Sequence, residues 1–241
     1  MRRSKGIRRA LVEIVGEEHV SDEEHILYVY SEDMTAEEPS SPDYVVMPGS
    51  VEEIQKILLF ANRERIPIIP YVTGNNIGGL AIPTKGGIIV DLKRMDRILE
   101  INEYSNYAVI EPGVSFGKLK ATLEERGLRI SIPYAPPSAS VLPNYLLTGW
   151  GNLSTKYGCH SDMITSLEVI LPTGELIKVG SCAITPYWFS NHPLLNLMGL
   201  FIGWQGTTGI VTKMGVKVHP IPKFRELHAL AFDEPDDMVW P

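Results

Sequence analysis

Only two cysteines occur in the 241 residues, and neither Cys159 nor Cys182 stands in a C-x-x-C pair. A disulfide scaffold is excluded, and both thiols are expected free and buried. The Cys159-His160-Ser161-Asp162 segment has no second ligand cluster to complete a four-ligand set, so no metal site is expected. Long apolar runs are also missing. No stretch approaches the roughly 18 residues of a membrane span, and no apolar segment follows the N-terminal charges. The expectation is a soluble, cytoplasmic chain that does not span a membrane. Positive charge is in deficit, with a formal net charge of -7. The one basic cluster, Arg2, Arg3, Lys5, Arg8 and Arg9, reads as a frayed, solvated terminus or a first helix, so nucleic acid is excluded as a partner.

Two nucleotide signatures are absent as well. The G-x-x-x-x-G-K-[ST] spacing is not found, which argues against a nucleoside triphosphatase. The dinucleotide fingerprint should open a helix at its third glycine, whereas here the chain passes into the turn-rich Ala81-Ile82-Pro83-Thr84-Lys85-Gly86-Gly87.

What is present is a composition of 44% hydrophobic and 21% charged residues, enough for a large core in one domain or two lobes. The most informative stretch is Pro70-Tyr71-Val72-Thr73-Gly74-Asn75-Asn76-Ile77-Gly78-Gly79, directly after an apolar run from Ile66 to Ile69. Gly74, Gly78 and Gly79 tolerate positive φ, and Asn is the next most tolerant type, so successive N–H groups can turn inward as a concave donor nest. Its natural guest is a diphosphate.

Around that loop, residues 7 to 30 read as amphipathic helices with Leu11, Ile14 and Val15 on one face, and Ser31 to Pro42 as an extended acidic loop. Tyr44 to Met47 is a strand. Ser50-x-x-Glu53 is a capping box opening a helix whose Ile54, Ile57, Leu58 and Ala61 share a face. With the strands at Ile66 to Pro70 and Gly87 to Leu92 this makes a β-α-β-β lobe. A second lobe starts near Tyr107, with a helix capped by Ser115 and ending at Gly127. A hairpin is expected about Pro172-Thr173-Gly174-Glu175, and a last strand over Gly209 to Val218. The segment from Pro133 to Asp162 lacks sustained periodicity. Its Pro136-Pro137-Ser138-Ala139-Ser140, Asn144, Gly149-Trp150-Gly151-Asn152 and Tyr157-Gly158 suit close backbone approach to a flat polar ligand.

The glycine and asparagine nest, Ile89-Val90-Asp91-Leu92-Lys93-Arg94-Met95-Asp96-Arg97-Ile98, Ala108 to Val114 and Gly209 to Gly215 occur in one order along the chain. Together they resemble the FAD-binding domain of the vanillyl-alcohol oxidase and p-cresol methylhydroxylase superfamily, which includes D-lactate and glycolate dehydrogenases. The resemblance runs from about Tyr44 to Pro222. It implies an α+β, two-lobed FAD-binding domain without the C-terminal cap domain. Residues 1–43 would be a helical segment and loop, 44–106 and 107–225 the two lobes, and 226–241 the start of a cap domain or a tail. Residues Val72, Thr73, Gly74, Asn75, Asn76, Ile77 and Gly78 would hold the FAD diphosphate. Pro137, Ser138, Ser140, Val141 and Asn144 would lie along the flavin, Gly149, Gly151, Tyr157 and Gly158 in the following loop, and Gly209, Ile210 and Val211 on the strand returning to the nucleotide.

There are departures. Pro143 stands where the family usually has Gly, removing a donor just before Asn144. The nest has no His of the kind that attaches FAD covalently in some relatives, and Cys159 is not in the matching context of the cysteinyl-linked ones, so FAD is expected to be noncovalent. The family's cap domain supplies much of its substrate pocket. A second polypeptide with that domain, or a homo-oligomer, is the implied partner, with an electron-acceptor protein or quinone. The leading reading is an FAD-dependent dehydrogenase or oxidase subunit taking a hydride at flavin N5 from an organic hydroxy or alkylphenol substrate. A non-catalytic electron-transfer or assembly subunit and a chain that binds no flavin stay open beside it. The motifs do not separate the substrate branches. His160, Tyr134 and Tyr157 are pocket candidates with structural roles as the alternative, and no catalytic acid or base is named.

Overall fold

The computed structural model describes residues 2–75, 77–192, 195–226 and 231–232. The chain opens with α1 (Arg2–Val15), β1 (Val20–Ser21) and α2 (Glu24–Val29). The helical reading of residues 7 to 30 is thus interrupted by β1, because Val20 and Ser21 pair antiparallel with Val46 and Val45 at a sheet edge. Next come β2 (Tyr44–Val46), α3 (Val51–Glu64), β3 (Ile68–Tyr71) and β4 (Ile88–Asp91). The four strands form a sheet in the order β1-β2-β4-β3, with β2, β4 and β3 parallel.

A parallel sheet is covered on both faces, which is why β2 and β4 read as unbroken apolar runs. Tyr44, Val46, Ile88 and Val90 pack against Leu11 of α1 and Ile54 and Ile57 of α3, while the alternate residues Val45 and Ile89 pack against Tyr30 and the α2 side. Ser50 caps α3 as expected, its Oγ accepting from the Glu53 N–H at 3.2 Å. The Glu53 carboxylate reaches one residue further back, accepting from the Gly49 N–H at 2.7 Å.

The remaining elements are β5 (Ile98–Asn102), β6 (Tyr107–Ile110), α4 (Phe116–Glu124), β7 (Leu128–Arg129), α5 (Val141–Leu146), α6 (Ser154–Tyr157), β8 (Ile164–Ile170), β9 (Leu176–Gly180), β10 (Ile210–Lys217) and β11 (His219–Pro220). An antiparallel sheet is ordered β5-β6-β10-β8-β9, and β11 pairs with β7 in a separate ribbon. Ala108 and Ile110 face the α4–α5 core, and Tyr107 and Val109 face Cys182 and Trp188 on the other side. β5 hydrogen-bonds to β6, so the second sheet begins before Tyr107. The Pro133 to Asp162 segment contains α5 and α6, and Pro143 falls in the first turn of α5. A first-turn N–H has no partner within its helix, so its loss there costs little. The segment Glu226 to Phe232, read as the start of a further domain, falls mostly outside the described residues.

The two sheets share a seam. Ile170 of β8 and Ile210 of β10 are register partners in the second sheet, yet both are buried in the first lobe's core with Ile54 and Ile57. Gln55 and Asn62 of α3 donate across the seam to the carbonyls of Gly174 and Pro172 at 2.7 and 2.6 Å. Replacing Ile170, fully buried at this junction, by Ala is expected to destabilise the chain by about 2–5 kcal/mol in a urea titration. Near-zero cost would show that the lobes are not packed through this residue.

Candidate functional site

A cavity of about 500 Å³ opens outside the carboxyl ends of β3 and β4, where open α/β sheets commonly bind ligands. One wall is the loop leaving β3, and the other comes from α5, the loop after it and the start of β10. The size suits a cofactor or drug-sized ligand.

The β3 loop turns at Gly74, whose φ of 67° is unfavourable for residues with a Cβ. A Cβ added there would also collide with the Tyr71 hydroxyl. Gly79 takes a φ of 68°. The loop is braced from two sides. Asp33, in the acidic loop, accepts from the Gly79 N–H at 2.9 Å, and the Thr73 hydroxyl accepts from the Ser140 N–H at 3.2 Å. Asp33 carried no signal beyond its place in an acidic stretch, and its role depends on long-range folding of residues 31–42 onto the loop.

Tyr71 lines the cavity and meets Tyr30 edge-on, ring centroids 4.8 Å apart. Beneath them the buried Asp91 carboxylate accepts from the Tyr30 hydroxyl at 2.7 Å and pairs with Lys93 Nζ at 2.9 Å. Burial, followed by the charges of Asp91 and Asp33, pushes the Tyr71 phenol up, so it stays neutral.

Of the residues named from the sequence, Val72, Thr73, Gly74, Asn75, Ile77, Ser140, Asn144, Gly149, Gly209, Ile210 and Val211 line the cavity. Asn76 lies outside the described residues. The others do not line it. Gly78 is exposed in the outer turn of the loop, and Pro137 and Ser138 are exposed before α5. Val141 is fully buried in the second core. A Cβ on Gly151 would run into the Ile132 carbonyl and His160 Nε2, and Gly158, at φ 89°, makes room for the Asp162 carboxylate. Their smallness shapes the loop rather than the cavity surface. Tyr157 stacks on His219, rings 3.7 Å apart, and Tyr134 is exposed to solvent. Cys159 interacts with Ser161 and Asp162, away from the lining.

Sequence reasoning missed Leu92, Leu142, Leu146 and Phe201 as lining residues, apolar side chains with nothing to distinguish them from core. It also missed Gln205 and Gly206, which line the cavity with φ of 55° and 77°; the glycine-rich run after Trp204 was the available signal. No charged side chain lines the cavity among the described residues. An anion there would be held by backbone N–H groups, hydroxyls and amides.

The polar support beneath the second wall centres on His160. It is fully buried, stacks on Tyr145 at 4.6 Å, and contacts Asn144 and Ser131 through its two ring nitrogens. Burial pushes it down to about 4, so the ring is neutral at physiological pH. Burial, then the charges of Lys217, Arg129 and Lys156, likewise hold His219 at about 4.

The FAD binding domain family profile matches residues 42–180. Glycolate oxidase subunit GlcD of Bacillus subtilis is 32% identical over 92% of this chain and 47% of its own length. The 4-cresol dehydrogenase [hydroxylating] flavoprotein subunit of Pseudomonas putida is 32% identical over 94% of this chain and 44% of its own length. A p-cresol methylhydroxylase structure with substrate bound superposes with a TM-score of 0.83 at 27% identity, covering 93% of this chain and 45% of that one. The chain therefore spans about half the length of the curated relatives it matches.

Replacing Gly74 by Val, which introduces both an unfavourable φ and a clash with Tyr71, is expected to abolish FAD retention on gel filtration; unchanged retention would place the diphosphate elsewhere. The buried histidines give a second expectation. Their folded values near 4 lie below the ordinary 6.5, so the unfolded chain takes up more protons between these limits. Their contribution to stability is complete above about pH 6.5 and declines toward pH 4. Urea midpoints at pH 7.5 and 5.0 should show the loss, and replacing His219 by Phe should reduce it.

Proposed function

Because the chain belongs to the FAD binding domain family, we propose that it is the FAD-holding part of a flavin-dependent oxidoreductase working in the cytoplasm. The observation that carries this reading is the largely apolar cavity at the carboxyl ends of β3 and β4, without a charged side chain among the described residues and with a glycine turn that a Cβ would block. FAD bound there supplies hydride acceptance at the flavin ring.

The chain's own groups bind and orient. Backbone N–H groups of the loop from Val72 to Ile77, with the Thr73 hydroxyl and the Asn75 amide, would receive the diphosphate. Ser140, Asn144 and Gly149, together with Gly209, Ile210 and Val211 at the start of β10, would form the wall along the flavin that faces this loop. The apolar residues Leu92, Leu142 and Phe201 keep water from the buried part of the ligand. The absence of an attachment histidine in the loop supports noncovalent binding.

The substrate is an organic hydroxy compound or an alkylphenol, and the electrons leave to an acceptor protein or quinone. GlcD and the 4-cresol dehydrogenase subunit support the two substrate branches equally in identity. The substrate site is completed by further protein that covers the cavity, a cap domain or a second copy of the chain. The exposed Leu147 and Trp150 beside the cavity, and Leu200 and Trp204 on the neighbouring loop, support such a cover.

Acid precipitation of the purified protein is expected to release a yellow chromophore with the chromatographic properties of FAD. Flavin remaining with the precipitate would refute noncovalent binding, and a protein that takes up no FAD would refute the reading as a whole. With no ionic side chain in the lining, the FAD dissociation constant is expected to change less than about threefold between 50 and 500 mM salt, since screening acts chiefly on exposed charges. A monomer of this chain oxidising an alcohol or hydroxy acid at ordinary rates with an artificial acceptor would refute the need for a cover.

A further inference from the structure

Asn144 enters the cavity from the first turns of α5, and its carboxamide lies against Gly149. A Cβ on Gly149 would collide with Asn144 Oδ1 and stand 2.7 Å from Cγ and 2.8 Å from Nδ2. The backbone ties these residues together, since the Gly149 N–H donates to the Asn144 carbonyl at 2.9 Å and the His160 N–H to the Gly149 carbonyl at 2.8 Å. Within that frame His160 Nδ1 is 2.5 Å from Asn144 Oδ1, and His160 Nε2 is 2.9 Å from Ser131 Oγ.

These contacts have one consistent proton assignment. A carboxamide oxygen only accepts, so Nδ1 carries the proton. Nε2 is then the acceptor of the neutral ring and receives the Ser131 hydroxyl proton. Ser131 is free to give it, because its oxygen meanwhile accepts from the Leu153 N–H at 3.4 Å. The ring cannot rotate out of this arrangement, stacked as it is on Tyr145 with Phe116 6.2 Å away. Asn144 Oδ1 is thereby occupied from below, and the polar group it has left for the cavity is the Nδ2 amide.

We propose that His160 is a positioning residue: its Nδ1–H locks the Asn144 carboxamide with Nδ2 toward the cavity, so that Asn144 meets a bound heteroaromatic ring as a donor to a carbonyl oxygen or imine nitrogen. This rests on reading the cavity as the FAD site. A freely rotating Asn would present oxygen or nitrogen, and the oxygen-first orientation would face those acceptors with a lone pair. The buried imidazole removes that choice before the ligand arrives. Its depressed basicity, near 4, keeps the single-proton form throughout the neutral range.

Two measurements test this. Long-range proton–nitrogen spectra of histidine-labelled protein, with the His160 signals assigned by their loss in His160→Asn, read the tautomer of the parent chain directly and need no ligand. A protonated Nδ1 and bare Nε2 between pH 6 and 8 are expected; a protonated Nε2 overturns the proposal. Next, FAD affinity is measured by absorbance titration. Asn at 160 places its amide where Nδ1 stands, so His160→Asn should stay within about twofold of the parent. Gln reproduces Nε2 instead, and His160→Gln should bind about tenfold more weakly, the loss of one buried hydrogen bond. The Asn144→Ala, His160→Gln double variant should bind no more weakly than Asn144→Ala. Equal affinities for the two His160 variants at matched unfolding temperatures, or additive losses in the double variant, overturn the proposal. A parent that takes up no FAD refutes the cofactor reading and with it the ligand half of this inference, while the tautomer still decides whether His160 orients Asn144.

Discussion

The cavity exists only because two different sheets are clamped at one point. Ile210 is buried in the core under α3, and the next residue, Val211, in the core under α4 and α5, yet both also line the cavity. The start of β10 is where the two hydrophobic cores meet. The nest on β3 and the wall built by α5 face each other because Ile170 and Ile210 belong to the first core while their strands belong to the second sheet. Apolar packing has no directional preference, so the finer alignment falls to hydrogen bonds across the junction: Gln55 and Asn62 to the β8–β9 turn, and Thr73 to Ser140.

Charge is kept out of the cavity and placed under its supports. Asp91, Glu111 and Glu168 are buried, and each is paired with a more exposed cation: Lys93, Arg97 and Lys213. Each carboxylate also accepts further hydrogen bonds: Asp91 from Tyr30, Glu111 from the Arg97 backbone and Glu168 from Thr212. Such satisfaction is what makes burial of an ion tolerable. They fix the turn after β4, the entry to β5 against the exit from β6, and the pairing of β8 with β10. The lining itself keeps only neutral dipoles, whose directions are set by the backbone rather than by flexible charged side chains.

The sequence made legible what local chemistry controls. Ser50 and Ser115 cap α3 and α4 through their hydroxyls, the Pro172 to Glu175 turn joins β8 to β9, and the Gly74 loop follows a strand. It hid what depends on distant partners. β5 looks like an extension of the first lobe until its pairing with β6 moves it to the second sheet. The irregular composition of residues 133–162 masks α5, whose Pro143 removes a donor but lies in a first turn that tolerates the loss. Gly151, Gly158 and Tyr157 resemble ligand contacts by composition, but they pack against His160, Asp162 and His219. His160, a lone histidine between cysteine and serine, gains its role from Asn144, Ser131 and Tyr145, each on a different segment.

The hydrogen bond from the Ser140 N–H to Thr73 joins the two cavity walls through the loop that turns at Gly74. A ligand touching both walls adds contacts only to the chain in which that bond and the isoleucine seam are intact. By mass action its binding free energy becomes folding free energy for both lobes. Cofactor supply would thus set how long the polypeptide survives proteolysis as well as how much of it is active, and a shortage would deplete the chain rather than leave it idle.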